Sequence, residues 1–213
     1  DRSIRCRTES VYIETKRCWQ FYEKRTLGGR NMNVCECVIS CKSGDQVIYR
    51  GVKKEDAEAL YQHQCTIAQE TYFTSLYPEE LLYNIEGKVE RIKEIQNHPV
   101  HFQIVAINDG KIVGQAEVRV VKNHLKYKHR ANIGISIDRD HWGMGIGSSL
   151  MKLALHQAKE NGLEQMELGV YADNERAIHL YQKYGFEQCG IWKNAFKLKD
   201  GTYRDEILMS KIL

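Results

Sequence analysis

The sequence predicts a single α/β (α+β) domain in which one mixed, mostly antiparallel central sheet is flanked by helices. Three observations indicate this class. Strand-like and helix-like segments alternate from residue 47 to the C-terminus, two alternating runs meet at Asn108-Asp109-Gly110, and a glycine-rich stretch at 140–151 separates a strand-like run from a helix-like run. A sheet with helices on both faces accounts for all three.

The length and composition of the chain fit one well-cored domain with an appendage, since 42% of its 213 residues are hydrophobic. No window approaches the roughly 18 consecutive apolar residues that a membrane span requires. The N-terminus has charges scattered among its apolar residues and lacks the hydrophobic core of a secretion signal. We therefore expect a cytoplasmic protein with no membrane partner.

The charge distribution argues against nucleic acid as a partner. The formal net charge is +3, and residues 1–46 carry nine Lys or Arg against six Asp or Glu. Residues 47–213 carry 22 of each, so the main body is neutral. A nucleic-acid-binding domain normally has a strong basic surface, and we expect no such partner here.

Residues 1–46 show neither sustained helical nor sustained strand periodicity, and we interpret them as an N-terminal extension of unknown role. An ordered appendage, a flexible tail and a leader sequence, with Met32 as a natural start, all stay open. Cys35, Cys37 and Cys41 suggest a metal site, but their spacing matches no usual zinc motif and the segment has no histidine. We expect no bound metal.

The segment from 47 to 98 predicts one strand and two helices. Residues 47–51 form a short strand, and a helix opens at 53–57 with apolar positions at helical spacing. A second helix is expected to begin near Pro78, because proline suits the first helical turn, and to end near Asn97.

The remaining elements complete the predicted sheet. Asp109-Gly110 between two alternating runs predicts a β-hairpin. The hairpin is followed by one more strand, a third helix, a strand, a fourth helix and two final strands. The predicted segments are 101–107, 111–120, 131–138, 148–159, 163–171, 174–184, 186–198 and 202–212. The order from residue 47 onward is therefore β-α-α-β-β-β-α-β-α-β-β.

The glycine-rich stretch has the layout of a phosphate-binding loop. Gly143, Gly145 and Gly147 lie between a strand and a helix, where the backbone can approach a ligand and the helix N-terminus favours an anion. A P-loop would need Lys and then Ser or Thr after its last glycine, and a dinucleotide-binding loop would need glycine where Ser148 stands. The spacing therefore disfavours ATP and NAD.

Two motifs resemble those of the GNAT (GCN5-related N-acetyltransferase) superfamily. The first, Arg or Gln followed by two residues, Gly, one residue and Gly or Ala, matches 142–147 except that Trp142 stands at the first position. The second is 174–186, in which an asparagine, an alanine and a tyrosine precede a glycine-phenylalanine pair. The resemblance covers roughly 47–213 and implies a GNAT-like acyl-CoA N-acyltransferase fold for that domain.

The resemblance also implies that acetyl-CoA binds as a co-substrate. Backbone amides of the glycine loop would hold its pyrophosphate, and the pantetheine arm would pair with Ile135 and Ile137 between two strands that splay apart. The residues implied to contact acetyl-CoA are Ile135, Ser136, Ile137, Trp142, Gly143, Met144, Gly145, Ile146, Gly147, Ser148, Asn174, Ala177 and Tyr181.

The motif match favours Tyr181 as the general acid. Tyr181 follows Asn174 by two helical turns, so both residues project to one face of the helix. A phenol with a pKa near 10 is protonated at neutral pH and can give its proton to the departing thiolate. On periodicity alone, packing of Tyr181 against the sheet would be the better interpretation.

The motifs do not identify the general base. Many GNAT relatives carry a glutamate near the position of Asn132, where this chain has an amide. Glu117, in the preceding strand, is our candidate base, acting directly or through water. A carboxylate of the helical region, such as Glu70, and the absence of any side-chain base both stay open.

We expect an N-acetyltransferase that transfers the acetyl group of acetyl-CoA to a primary amine of a small molecule, peptide or protein by direct attack. The alternative is a catalytically silent CoA-binding regulatory module, which the missing strand glutamate favours. No motif in 55–98 or 122–130 identifies the acceptor amine, and a homodimer stays open.

Overall fold

The computed structural model describes residues 4–5, 34–41 and 44–213, and nine strands of these residues form one sheet. The strands are β1 (Ile4–Arg5), β2 (Cys37–Ser40), β3 (Gln46–Gly51), β4 (Phe102–Asn108), β5 (Lys111–Val120), β6 (Arg130–Ile137), β7 (Gln165–Tyr171), β8 (Glu187–Lys197) and β9 (Tyr203–Ile212). Their order across the sheet is β1-β2-β3-β4-β5-β6-β7-β9-β8. Only β6 and β7, among these pairs, run parallel. The predicted mixed, mostly antiparallel sheet is confirmed.

Four α-helices of the described residues flank the sheet. They are α1 (Ala57–Glu70), α2 (Ile85–Asn97), α3 (Ile146–Glu160) and α4 (Glu175–Lys183). From residue 46 onward the order of strands and helices is the predicted order. None of the described helices has the length and apolar character that a membrane crossing needs.

The expectation that the second helix begins near Pro78 was wrong. The segment Pro78–Glu80 forms a short 3₁₀ turn, and α2 begins only at Ile85. The Asn84 side chain caps α2 by accepting a 2.8 Å hydrogen bond from the Gly87 amide. Proline and acidic residues favour the first turn of a 3₁₀ helix as well as that of an α-helix. The pattern at Pro78 therefore marks a helical turn and does not show where the α-helix begins.

Strand β2 was not predicted from the sequence. It pairs with β3 along its whole length and brings part of the N-terminal segment into the sheet. Cys37 is 2% exposed, and burial raises the pKa of its thiol to about 12. Metals bind the thiolate form of cysteine, and burial disfavours that form at Cys37. Cys37 is therefore a residue of the hydrophobic core. The division into 1–46 and 47–213 stays a prediction.

Alternating strand residues supply one hydrophobic core on each face of the sheet. Helices α3 and α4 lie on the α3/α4 face, where Leu150 and Tyr181 cluster with Met166. Helices α1 and α2 lie on the α1/α2 face, where Leu60 clusters with Val105. The candidate site borders both faces, because it lies where the sheet opens.

Candidate active site

Strands β6 and β7 are paired at one end and separate at the other. Their parallel ladder joins 130–132 to 165–167 and ends there. Beyond this point β6 continues beside β5 to Ile137, and β7 continues beside β9 to Tyr171. The backbone groups that the two strands turn toward each other then have no ladder partner. Since such groups need hydrogen bonds, the opening suits a ligand that carries amides.

The glycine loop, residues 142–148, connects β6 to α3. Gly143 and Gly145 have φ angles of 79° and 95°, in the left-handed region that glycine adopts most readily. At Gly147 a Cβ atom would lie 3.0 Å from Cδ1 of Ile137, so the start of α3 approaches the end of β6 closely. The loop therefore directs the N-terminal amides of α3, with their partial positive charge, at the adjacent pocket.

A pocket of about 710 Å³ runs through this region. It is lined by the end of β6, the glycine loop, one side of α4 along its whole length and the C-terminal end of α1. The predicted cofactor residues that line it are Ile135, Ser136, Ile137, Trp142, Gly143, Gly145, Ile146, Gly147, Ser148, Asn174, Ala177 and Tyr181. Met144 does not line the pocket, because its side chain packs against the core.

Trp142 holds the first position of the loop through its ring. Its Nε1 donates a 2.8 Å hydrogen bond to the carbonyl oxygen of Ile137. The Arg176 guanidinium carbon lies 4.5 Å from the centre of its ring, within the range of a cation–π interaction. The tryptophan thus connects the loop to β6 and brings a cation from α4 to the pocket.

Helix α4 presents the two residues of the second motif to the pocket. The Asn174 side chain accepts a 3.2 Å hydrogen bond from the Ala177 amide and caps the helix. Tyr181 is 7% exposed, and burial raises its pKa to about 12. The phenol therefore carries its proton throughout the neutral range. Tyr181 lines the pocket as predicted, and its role as the acid stays a prediction.

Helix α4 also carries basic residues that were not among the predicted site residues. Arg176, His179 and Lys183 all line the pocket, and Lys183 Nζ lies 3.5 Å from Ser148 Oγ of the glycine loop. Their spacing of three and four residues puts them on one helical face. This spacing was the sequence feature from which they could have been predicted. Arg176 and Lys183 add positive charge beside the glycine loop.

His63 of α1 contacts the end of β6 in a way that the sequence could not indicate. Its side chain is fully buried, with Nδ1 2.6 Å from Asp138 Oδ1 and Nε2 2.9 Å from Ser136 Oγ. Because Ser136 and Asp138 lie at the end of β6, these contacts fix α1 against that strand. They also give the Ser136 hydroxyl, which lines the pocket, a defined position.

The structure does not bring the candidate base Glu117 into the pocket lining. Its Oε1 accepts a 2.7 Å hydrogen bond from Arg91 Nη2 of α2 and lies 3.6 Å from Arg119 Nε. Glu70, the alternative, does line the pocket, and its Oε2 accepts a 2.9 Å hydrogen bond from the Arg139 amide. Asn132 is exposed on β6.

Comparisons with known proteins agree with this geometry. The model of the acetyltransferase (GNAT) family matches residues 57–186. L-amino acid N-acetyltransferase AaaT of Escherichia coli (strain K12) is 28% identical over 172 residues, covering 78% of this chain and 98% of the relative.

Two solved structures have the same fold. A GNAT-family acetyltransferase from Streptococcus pneumoniae has a TM-score of 0.76 at 27% identity, over 78% of this chain and 99% of the other. A ribosomal-protein-alanine N-acetyltransferase from Brucella melitensis has a TM-score of 0.68 at 25% identity, with coverage of 78% and 99%. The resemblance inferred from the two motifs is confirmed, and this chain belongs to the acetyltransferase (GNAT) family.

Proposed function

We propose that this protein transfers the acetyl group of acetyl-CoA to a primary α-amino group by direct attack of the amine on the thioester. The observation that carries the proposal is the opening between β6 and β7, which joins the glycine loop to Tyr181 within one pocket. Binding of acetyl-CoA needs backbone partners for its amides and a site for its pyrophosphate, and departure of the thiolate needs a proton donor. All three border the same cavity.

The glycine loop fits a pyrophosphate group. Left-handed Gly143 and Gly145 expose the loop backbone, and the first amides of α3 point at the pocket. Arg176 and Lys183 supply side-chain cations on the opposite wall. We assign the diphosphate of acetyl-CoA to this end of the pocket and its pantetheine amides to the backbone of Ile135 and Ile137.

Tyr181 supports the departure of the thiolate. A buried phenol with its pKa raised to about 12 stays protonated at neutral pH, so its proton is available to the sulfur as the thiolate departs. As the carbon–nitrogen bond forms and the carbon–sulfur bond breaks, Tyr181 gives its proton to sulfur. Its phenolate is then reprotonated from solvent.

The names of two relatives support an α-amino acceptor. One relative is named for L-amino acids and another for an alanine of a ribosomal protein. Alanine has no nitrogen in its side chain, so acetylation of alanine can only occur on its α-amino group. We propose the α-amino group of a free amino acid or of a protein N-terminus as the acceptor. A cytoplasmic location and a homodimer stay predictions.

A panel of free amino acids and short peptides tests this proposal. Each amine is incubated with acetyl-CoA and the protein, and free CoA is measured by chromatography, because the cysteines of the chain would react with thiol reagents. We expect CoA release with at least one free α-amine and none with its N-acetylated counterpart. Stabilisation by acetyl-CoA without CoA release for any amine would favour the silent CoA-binding module instead.

A further inference from the structure

We propose that Glu206 of β9 binds the acceptor amine and takes its proton, in a site on the α1/α2 face of the sheet. The proposal rests on the acetyl transfer proposed above and names the base of that reaction. It replaces Glu117 in that role, because Glu206 lies at the opening and Glu117 already binds Arg91.

The Glu206 carboxylate lies over a glycine. A Cβ atom built on Gly169 of β7 would be 1.9 Å from Glu206 Oε1 and 2.6 Å from its Cδ. No side chain other than glycine's hydrogen leaves that space open. The carboxylate therefore takes the position on β7 that a side chain of residue 169 would otherwise occupy.

Gly169 lies at the opening of the sheet. It comes two residues after Glu167, the last β7 residue that pairs with β6. Its neighbours Leu168 and Val170 are buried in the core of the α3/α4 face, so Gly169 faces the opposite, α1/α2 side. Across the opening, Gly134 of β6 is likewise exposed. Two exposed glycines thus flank the gap on the face that Glu206 occupies.

The positions of acid and base are complementary. Tyr181 belongs to the core cluster of the α3/α4 face, whereas Glu206 lies on the α1/α2 face. The pocket itself reaches both sides, since it is lined by Tyr181 and also by Phe73, just beyond the end of α1. An amine that arrives from the α1/α2 face would meet Glu206 first, with the proton donor on the far side of the thioester.

The surroundings of Glu206 suit an ammonium group. Tyr171 and Trp192 stand directly opposite Glu206 on the two neighbouring strands, so all three side chains share one face. Trp192 is 65% exposed, and aromatic faces attract cations. Within 34–41 and 44–213, no Lys or Arg pairs with Glu206, whereas Arg91 pairs with Glu117.

Burial raises the pKa of the Glu206 carboxyl, which makes it a better proton acceptor when it is ionised. The titratable group that faces it directly is Tyr171 of β7. Around Tyr171 lie Asp173, Tyr72 and Tyr77, and Asp173 is already bonded to Tyr72 and Arg204. Glu206 is therefore the carboxylate of this group that keeps its oxygens available.

Glu206 and Tyr181 together account for the protons that are removed from the amine and delivered to the sulfur. The bound ammonium group first loses one proton to solvent. The neutral amine nitrogen then bonds to the acetyl carbon, and one of its remaining protons becomes acidic as that bond forms. Glu206 takes this proton while the carbon–sulfur bond breaks and Tyr181 protonates the sulfur. Glu206 then loses its proton to solvent, and Tyr181 regains one, so no other reactant is required.

The first test compares Glu206→Gln with wild type in the CoA-release assay, using the amine that the panel identifies. We expect kcat/KM to fall about 100-fold or more, with the acetyl-CoA thermal shift unchanged. Glu187→Gln, an exposed carboxylate change in β8, is the matched control and should keep wild-type activity. If Glu206→Gln retains wild-type turnover, this inference fails while the proposed acetyl transfer stands. If wild type acetylates no amine, both fail.

The second test restores the carboxylate from the neighbouring strand. Glu206→Ala removes the three heavy atoms nearest to a Cβ built on Gly169, which are Oε1, Cδ and Cγ of Glu206. The double variant Glu206→Ala with Gly169→Glu should therefore fold. Its kcat/KM should be at least 10-fold higher than that of Glu206→Ala alone. A purely structural role of Glu206 predicts no recovery, and a double variant as inactive as Glu206→Ala, with a wild-type melting temperature, would overturn the inference.

Discussion

The indole nitrogen of Trp142 donates a 2.8 Å hydrogen bond to the carbonyl oxygen of Ile137. This bond joins the first residue of the glycine loop to the last residue of β6, so the loop cannot move independently of the strand. The same ring lies 4.5 Å from the Arg176 guanidinium carbon. A tryptophan at this position therefore combines an N–H donor with a ring that attracts Arg176, whereas Arg or Gln would offer donors without a ring.

Replacement of Trp142 should weaken acetyl-CoA binding. Trp142→Ala removes both the hydrogen bond and the ring, and we expect Kd to rise about 10-fold or more. Trp142→Phe keeps a ring for Arg176 but loses the donor, so its Kd should lie between the two. Isothermal titration gives these values, with Trp192→Phe as a control on the other face. Equal affinities for Trp142→Ala and wild type would contradict this role.

Tyr181 and Tyr184 should separate catalysis from binding. Tyr181→Phe removes the proposed acid, and we expect kcat to fall about 100-fold or more with little change in Kd for acetyl-CoA. Tyr184 donates a 2.8 Å hydrogen bond to the Ser148 carbonyl oxygen, so Tyr184→Phe should raise Kd and leave kcat close to wild type. Steady-state kinetics and titration distinguish them, and a Tyr181→Phe variant with wild-type kcat would exclude Tyr181 as the acid.

The high pKa of Tyr181 should be visible in alkaline unfolding. In the folded chain this phenol keeps its proton up to a pKa of about 12, whereas in the unfolded chain it ionises near pH 10. Between these values the unfolded state has lost a proton that the folded state still binds, so the free energy of unfolding must fall as pH rises. Urea titrations near pH 9, 10 and 11 should show a steeper decline for wild type than for Tyr181→Phe. Equal declines of the unfolding free energy in the two proteins would contradict the raised pKa of Tyr181.

His63 should contribute to stability through its two polar partners. His63→Ala leaves the side chains of Asp138 and Ser136 without this partner and creates a cavity, and we expect a loss of about 2–4 kcal/mol. Ser136→Ala should cost less, about 1 kcal/mol. Urea denaturation measures both, and His124→Ala, in an exposed loop, serves as the control. A loss for His63→Ala no larger than that of the control would show that the contacts are not stabilising.

Gly145 and Gly201 provide a matched pair for the glycine loop. They have similar left-handed φ angles of 95° and 84°, so an alanine at either position should cost about 1–2 kcal/mol of stability. Only Gly145 lines the pocket, and only Gly145→Ala should also raise Kd for acetyl-CoA. Melting curves with and without acetyl-CoA test this pair. An equal loss of ligand-induced stabilisation in both variants would argue against a binding role of the loop.

Local patterns were sufficient where a residue's neighbours in sequence determine its structure. The Asp109-Gly110 hairpin, the strand and helix order and the two motifs all depend on contacts within a few residues, and the structure has them in the predicted order. The start of α2 could not be located in the same way, because the turn at Pro78 satisfies the same local rules as a helix start. Strand β2 was missed because its pairing with β3, not its own periodicity, makes it a strand.

By itself, the sequence determined the element order from residue 46 onward, the glycine loop before α3, and the helix that carries Tyr181, whereas Asn174, expected on one face of that helix with Tyr181, is its N-cap. Only the tertiary structure decided how these parts face one another. It placed His63 against Ser136, 73 residues away, and laid the Glu206 side chain over Gly169. The physical reason is that strand register and splay arise from packing between distant segments, and no local pattern of apolar residues specifies which carboxylate lies beside the gap in the sheet.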